Sequence, residues 1–285
     1  MSSPAVSKEQ KKNKNFLLIV VAASCLVAAM FGSRNSLSLT IEGIDQSQTL
    51  NYLQISFAFA LGQLVVGAIS PFAGMIADKY GSGKTLTVGI LLGLLGIILI
   101  PYSTTAFTLS ISLGVISSIG LGVAGLPVVL ASVNRLIPQN KVGMAFGLVN
   151  AGQSLGQLIL APLAGFIIVN FGWILCILFL CTVLLLVLPF SFTLRSRTDT
   201  KQPSGVQTKN LSETLRIAFN TPSYIYLVVG FFVCGFHVAF IATHMPGVIQ
   251  VCGLPPTVSG WSLGLIGLFN IVGSIFAGWY ISKRS

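Results

Sequence analysis

Apolar runs of about twenty residues or more recur along the whole chain, separated by short polar or Gly/Pro-containing breaks. Eight can be delimited, at about 16–39, 50–76, 85–103, 107–131, 144–169, 173–194, 223–248 and 259–281. Roughly 20 apolar residues wound as a helix cross about 30 Å of hydrocarbon. The pattern therefore predicts an all-α membrane protein with eight spans. One long polar stretch interrupts it, at residues 195–222, with Arg195, Arg197, Asp199, Lys201, Lys209 and Glu213 among Pro203 and Gly205. A polar linker of this composition is expected to be flexible and cytoplasmic. Within it, Leu211 to Phe219 has helical spacing and is expected to lie along the membrane surface. The expected organisation is a cytoplasmic tail at 1–15, a six-helix bundle at 16–194, the linker at 195–222, and two helices of a second bundle at 223–285.

A repeat supports this division. The segment from Ser70 to Lys79, SPFAGMIADK, returns 204 residues later from Ser274 to Lys283 as SIFAGWYISK, with five of ten positions identical. Both copies follow a long apolar segment. Parallel repeats of several apolar helices are an architecture of secondary transporters. Because the second copy is reached only as the sequence stops, the chain is expected to be truncated at its C-terminal end.

Composition fixes the solvent. Charged residues make up 8% of the chain, apolar residues 54%, and the mean hydropathy is +0.89. A soluble domain carries about 25% charged residues. The net charge of +10 would suggest nucleic acid in a soluble protein, but its placement excludes that class. With the N-terminus assigned to the cytoplasm, fifteen of sixteen Lys and Arg residues fall on cytoplasmic segments, while the outward loops hold only Glu42 and Asp45 as charges. This positive-inside pattern implies an even number of crossings and a multi-pass protein of the plasma (inner) membrane. Lys8, Lys11, Lys12 and Lys14 before the first run resemble a signal-peptide start. However, that run is too long for such a peptide and no cleavage site of small residues follows, so it is read as a retained span.

Several chemistries find no support. Four of the five cysteines lie in apolar spans, and no C-x-x-C or Cys/His ligand spacing occurs, so neither a disulfide framework nor a metal site is expected. No paired carboxylates or nucleophile constellation indicates an enzyme, and no cofactor is implied. Gly81-Ser82-Gly83-Lys84-Thr85 superficially matches a phosphate-binding loop, but the first glycine of that motif falls on Asp78, and a membrane helix, not a strand, precedes it.

The chemistry that remains is concentrated in a few places. Gly74-x-x-x-Asp78-Lys79-x-Gly81-x-x-Lys84 forms the loop between spans two and three. Asp78 ends its own helix, where the dipole disfavours an anion. It therefore needs a partner, such as Arg135 or another helix's N-terminus, and that contact is a candidate for holding one face of the bundle shut. Arg34 is the one charged residue inside a predicted span. It lies about 27 Å along a helix begun at Phe16. Two readings stay open: a pathway or binding role, or a side chain snorkelling to the outer interface. On span five, Asn150, Gln153, Ser154 and Gln157 form one stripe that faces a cavity or cross-links helices. Gln54 and Gln63 on span two are lesser candidates. His237 and His244 share a face of span seven. Each is either a satisfied packing residue or, for the mid-membrane His237, a substrate or proton contact. The glycines of spans three and four, with Pro127, are read as close-packing and bending devices.

The repeated loop resembles the signature loop of the major facilitator superfamily, whose members have two six-helix halves. Asn140 to Gly152, then Gly156, Ala161-Pro162-Leu163 and Phe171-Gly172-Trp173, are similar to spans five and six of its monocarboxylate-porter and oxalate/formate-porter group. The resemblance implies alternating access with a midplane site for a small organic anion such as a carboxylate. It places Arg34 where monocarboxylate porters carry a basic residue on helix one, and it implies proton or counter-substrate coupling. The group's acid–base pair on helix eight is replaced here by Asn270 and Ser274, which argues against coupling at those positions. The rival expectation is a truncated, non-transporting fragment or partner subunit. The expected substrate site is Arg34, Asn150, Gln153, Gln157 and His237, and the expected gating loop is Gly74, Asp78, Lys79, Gly81, Lys84 and Arg135.

Overall fold

A computed structural model describes residues 4–47, 50–195, 216, 217 and 219–284, and every regular element among them is helical. Among the described residues, eight helices are long and apolar enough to cross a membrane: Phe16–Gln46, Tyr52–Tyr80, Ser82–Tyr102, Ala106–Leu136, Lys141–Phe171, Trp173–Thr193, Pro222–Val251 and Pro256–Gly273, hereafter spans one to eight. The eight predicted spans are all present, with most ends shifted by a few residues. The first helix runs from Pro4 to Ser36, because its Lys, Glu and Gln residues are good helix formers and Pro4 suits a first helical position. Span eight continues as helix to Arg284. The second copy of the repeat lies on it, with its side chains outside the described residues apart from Phe276. Most of the linker also lies outside the described residues; of the surface helix expected from Leu211 to Phe219, Arg216, Ile217 and Phe219 are described, as helix.

Lipid tails are as apolar as leucine, so helices in a bilayer associate by close packing at small residues. Span one crosses span five at glycine. A Cβ on Gly156 would stand 2.0 Å from the Ala28 carbonyl oxygen, and one on Gly32 would stand 2.6 Å from that of Gly156. On its other side, span five receives span eight, where a Cβ on Gly260 would meet the Ala161 carbonyl at 2.6 Å and one on Gly267 that of Ser154 at 2.7 Å. Spans three and four meet at Gly89 and Gly120 in the same way. Span five is thus the axle between the first helix and the last.

Two spans are irregular where it matters. Span one gives way to a 3-10 turn, Leu37–Thr40, and a short helix, Ile41–Ser47. Span four is assembled from four pieces: Ala106–Leu109, a π-helical stretch Ser110–Ser117, Ser118–Val123 and Leu126–Leu136. Its break at Ala124–Gly125 precedes Pro127, as the sequence predicts. Spans two and three are joined through Gly81 alone, at φ +91°, a backbone conformation that favours glycine. Gly83 is required for a different reason: a Cβ there would press at 3.0–3.1 Å on Arg195 and the Ser191 carbonyl at the end of span six. Ser82 Oγ donates to the Leu194 carbonyl at 2.7 Å, and the Thr87 and Ser191 hydroxyls are also 2.7 Å apart.

Candidate functional site

The cavity around Arg34 is built from spans one, two, four, five and seven. The Arg34 guanidinium donates to Gln63 Oε1 on span two. Gln63 is eleven residues into a 29-residue helix that starts at Tyr52, or about 16 Å at 1.5 Å per residue. The Arg34 side chain is therefore turned inward, onto span two. Among the described residues no carboxylate lies within ion-pair distance of it.

Two spaces meet at this side chain. Toward the Lys/Arg-rich side is a cavity of about 250 Å³, walled by Val27, Met30, Phe31, Val66 and the Leu121–Pro127 segment, with Ser70 and Gln153 as polar groups. Toward the Lys/Arg-poor side is a narrow one of about 30 Å³, whose polar wall includes Gln63, Ser117, Ser118 and Thr243. The latter has room for little more than a water molecule. The π-helical turn explains why two adjacent serines reach it together. Ser117 and Ser118 both donate to the Leu113 carbonyl, at 2.6 and 3.0 Å, four and five residues back. The wide turn holds both hydroxyls on one side of the helix, and π-segments of this kind recur at functional sites.

The stripe on span five is split. Gln153 lines the larger cavity with Arg34, and Asn150 is exposed one turn nearer the Lys/Arg-rich end. Gln157 is buried and drawn into the seam with span eight, where its Cβ would be 3.4 Å from a Cβ on Gly267. The two histidines also part company. His237 is exposed, with Nδ1 2.9 Å from the Val233 carbonyl of its own helix. The structure thus leaves His237 outside the Arg34 cavity. His244, one heptad on, lines an adjoining pocket with Ser56, Gln63 and Thr243. Gln54 closes a capping box with Asn51, accepting from the Asn51 N–H at 3.2 Å, so its role is to start span two. Ser117, Ser118 and Thr243 went unselected at the sequence level. The serine cluster at positions 110, 112, 117 and 118 was the available signal for two of them.

At the Lys/Arg-rich end, Arg135 in the last turn of span four pairs with Asp78. Each charge sits at a helix C-terminus, which suits the cation and not the anion, so the pair relieves Asp78. Lys79 lies 5.3 Å over the Tyr80 ring, and Lys84 is exposed. No atom lies within 4 Å of the position a Cβ on Gly74 would take. The Asp78 and Arg135 side chains are 49% and 36% exposed, and pairs in such settings contribute about 1 kcal/mol at most. A double-mutant cycle of Asp78→Asn and Arg135→Gln, read by thermal unfolding in detergent, is therefore expected to give a coupling no larger than that. A coupling of several kcal/mol would mean the pair is structural.

The profile described as Major Facilitator Superfamily matches residues 20–285. The chain is 28% identical over 162 residues to the riboflavin transporter RibZ of Clostridioides difficile, covering 57% of this chain and 35% of that protein. It is 23% identical over 264 residues to monocarboxylate transporter 12 of Rattus norvegicus, covering 82% of this chain and 54% of that one. The chain spans about half the length of the curated relatives it matches. Among solved structures, a bacterial homologue of the human lysosomal transporter Spinster superposes with a TM-score of 0.72 at 15% identity, over 95% of this chain and 63% of that one.

Proposed function

This chain belongs to the Major Facilitator Superfamily, and on that premise we propose that it serves secondary active transport by alternating access, with a small organic anion such as a carboxylate bound at Arg34. The observation that carries this reading is a guanidinium within a membrane-spanning segment whose hydrogen-bond partner, Gln63, is neutral. A charged side chain at the centre of a membrane helix costs about 2.5–3.5 kcal/mol on insertion scales and marks a pathway by default. A carboxylate would supply the missing charge and two acceptors for the planar fork. Gln153 and Ser70 offer hydrogen bonds nearby, and Val27, Met30 and Phe31 offer an apolar wall to the remainder of the molecule.

In this reading Gln63 is a positioning residue that aims Arg34, and Asn150 flanks the approach. Gln157 and His237 take no direct part. The Asp78–Arg135 pair belongs to the gating loop with Gly74, Lys79, Gly81 and Lys84. The Lys/Arg-rich face, and with it the N-terminus, is cytoplasmic at the plasma membrane. Residues 195–222 link the six-helix unit to spans seven and eight, and transport is coupled to a proton or a counter-substrate.

The test is a panel of small mono- and dicarboxylates, sugars and amines against the purified chain. Thermal stabilisation reads binding, and uptake into proteoliposomes reads transport. Stabilisation confined to carboxylates supports the site. Stabilisation by neutral or cationic compounds instead would remove the anion from the proposal. Binding without uptake would favour a non-transporting subunit.

A further inference from the structure

Arg34 divides its surroundings unequally. On one side the space amounts to about 30 Å³, so only water-sized groups fit there. On the other it widens to about 250 Å³, and the body of a bound anion must lie on that side. Val27, Met30, Phe31 and Arg34 follow one another at helical spacing and all line this larger space, which puts Val27 about 10 Å of rise from Arg34. The facing wall is span four at its break, where Gly122, Ala124 and Gly125 keep the side chains small. Bulk on one wall and nearly bare backbone on the other make a slot. Its polar capacity is low. Arg34 is the one charged residue among those that line it. The Ser70 hydroxyl already donates to the Val66 carbonyl at 2.7 Å, so it serves a ligand only as an acceptor. That leaves the Gln153 amide as the one further side-chain donor on the wall.

We propose that the ligand of this slot is an aryl monocarboxylate, with its carboxylate at Arg34 and Gln153 and its ring between Phe31 and the break in span four. The inference rests on the anion reading above and names the class within it. Volume sets one bound. An apolar cavity of 150 Å³ holds a benzene ring, and the remaining ~100 Å³ equals the liquid volume of about three waters. That is room for a carboxylate on a tether of one or two carbons. A two-carbon acid would leave most of the slot unfilled and gain little from its apolar wall. Polarity sets the other bound. A dicarboxylate would carry its second charge toward Val27 and Met30, where no cation lines the slot, and burying an unpaired charge is costly. A flat apolar body with a single charge satisfies both.

The experiment titrates the full purified chain with 3-phenylpropanoate, acetate, succinate and neutral 3-phenylpropanamide, reading each affinity from thermal stabilisation. 3-Phenylpropanoate is expected to bind at least about tenfold tighter than acetate or succinate, the factor that burying a phenyl-sized group gives, and to bind tighter than its amide. Val27→Phe, which fills the far end of the slot, is expected to abolish the preference for 3-phenylpropanoate over acetate. Val27→Ala, which lengthens the slot, gives an independent reading if the bulkier variant does not fold. It should shift the preference from 3-phenylpropanoate toward 4-phenylbutanoate. Acetate or succinate binding as tightly as 3-phenylpropanoate, or a ligand preference unmoved by the Val27 variants, would overturn the aryl class and leave the anion reading standing. An amide that binds as well as the acid, or no stabilisation by any carboxylate, would overturn the anion reading and the aryl class with it.

Discussion

Replacing Arg34 by glutamine is expected to weaken carboxylate binding ten- to a hundredfold without unfolding the protein. Gln63 is its hydrogen-bond partner, and a hydrogen bond to a charged group contributes about 1.5–3 kcal/mol, where 1.4 kcal/mol corresponds to tenfold in affinity. Removing the cation also removes the cost of holding a charge in the membrane, so stability should hold or rise. Arg34→Lys should fall between, since it keeps the charge but loses the planar fork that reaches Gln63 and a carboxylate together. Titration of the purified variants with the tightest-binding carboxylate from the panel measures this. If glutamine binds as well as arginine, the anion site lies elsewhere.

The second large effect is structural. Gly156→Leu is expected to destabilise the protein by about 3 kcal/mol, at the upper end of overpacking costs. The atom its Cβ would meet, at 2.0 Å, is the backbone carbonyl of Ala28, which cannot rotate aside. Spans one and five would have to separate, and Gly32 sits at the same crossing, against the Gly156 carbonyl. The control is Gly147→Ala on the same helix, where no atom lies within 4 Å of the new Cβ. There a helical alanine should be neutral or stabilise by about 0.5–1 kcal/mol. Thermal unfolding of both variants in one detergent compares them. Equal melting temperatures would show that the crossing tolerates bulk and that the helices are held by something else.

Much of the fold was legible because a bilayer imposes a strict length and polarity on anything that crosses it. The partner of Asp78 was legible for a related reason, since an anion at a helix C-terminus needs a cation and Arg135 ends the facing span. What the pattern could not give was height. His237 and His244 share a face, as do Gln153 and Gln157, yet a heptad is about 10 Å of rise and four residues about 6 Å. That rise decides which one meets the cavity. Span seven approaches its neighbours only near Thr243, so His244 arrives and His237 does not. Span eight reaches span five at Gly267, so Gln157 is covered while Gln153 stays open to Arg34. The two readings of Arg34 stayed open because a count along span one from Phe16 does not show that its guanidinium meets Gln63 on span two. The π-helical turn of span four was likewise invisible, as no residue pattern distinguishes it from a serine-rich α-helix.

The one-residue joint at Gly81 has a mechanical meaning. A connection this short has no slack, and the Gly81 N–H is itself bonded to the Ala77 carbonyl. The next residues are pinned to the end of span six through Ser82 and Thr87. A rotation of span two at that end pulls on spans three and six through these contacts. The three helix ends are tied together at one joint, and the lever arm of that joint is the full length of span two, from the Asp78–Arg135 pair at one end to Tyr52 at the other.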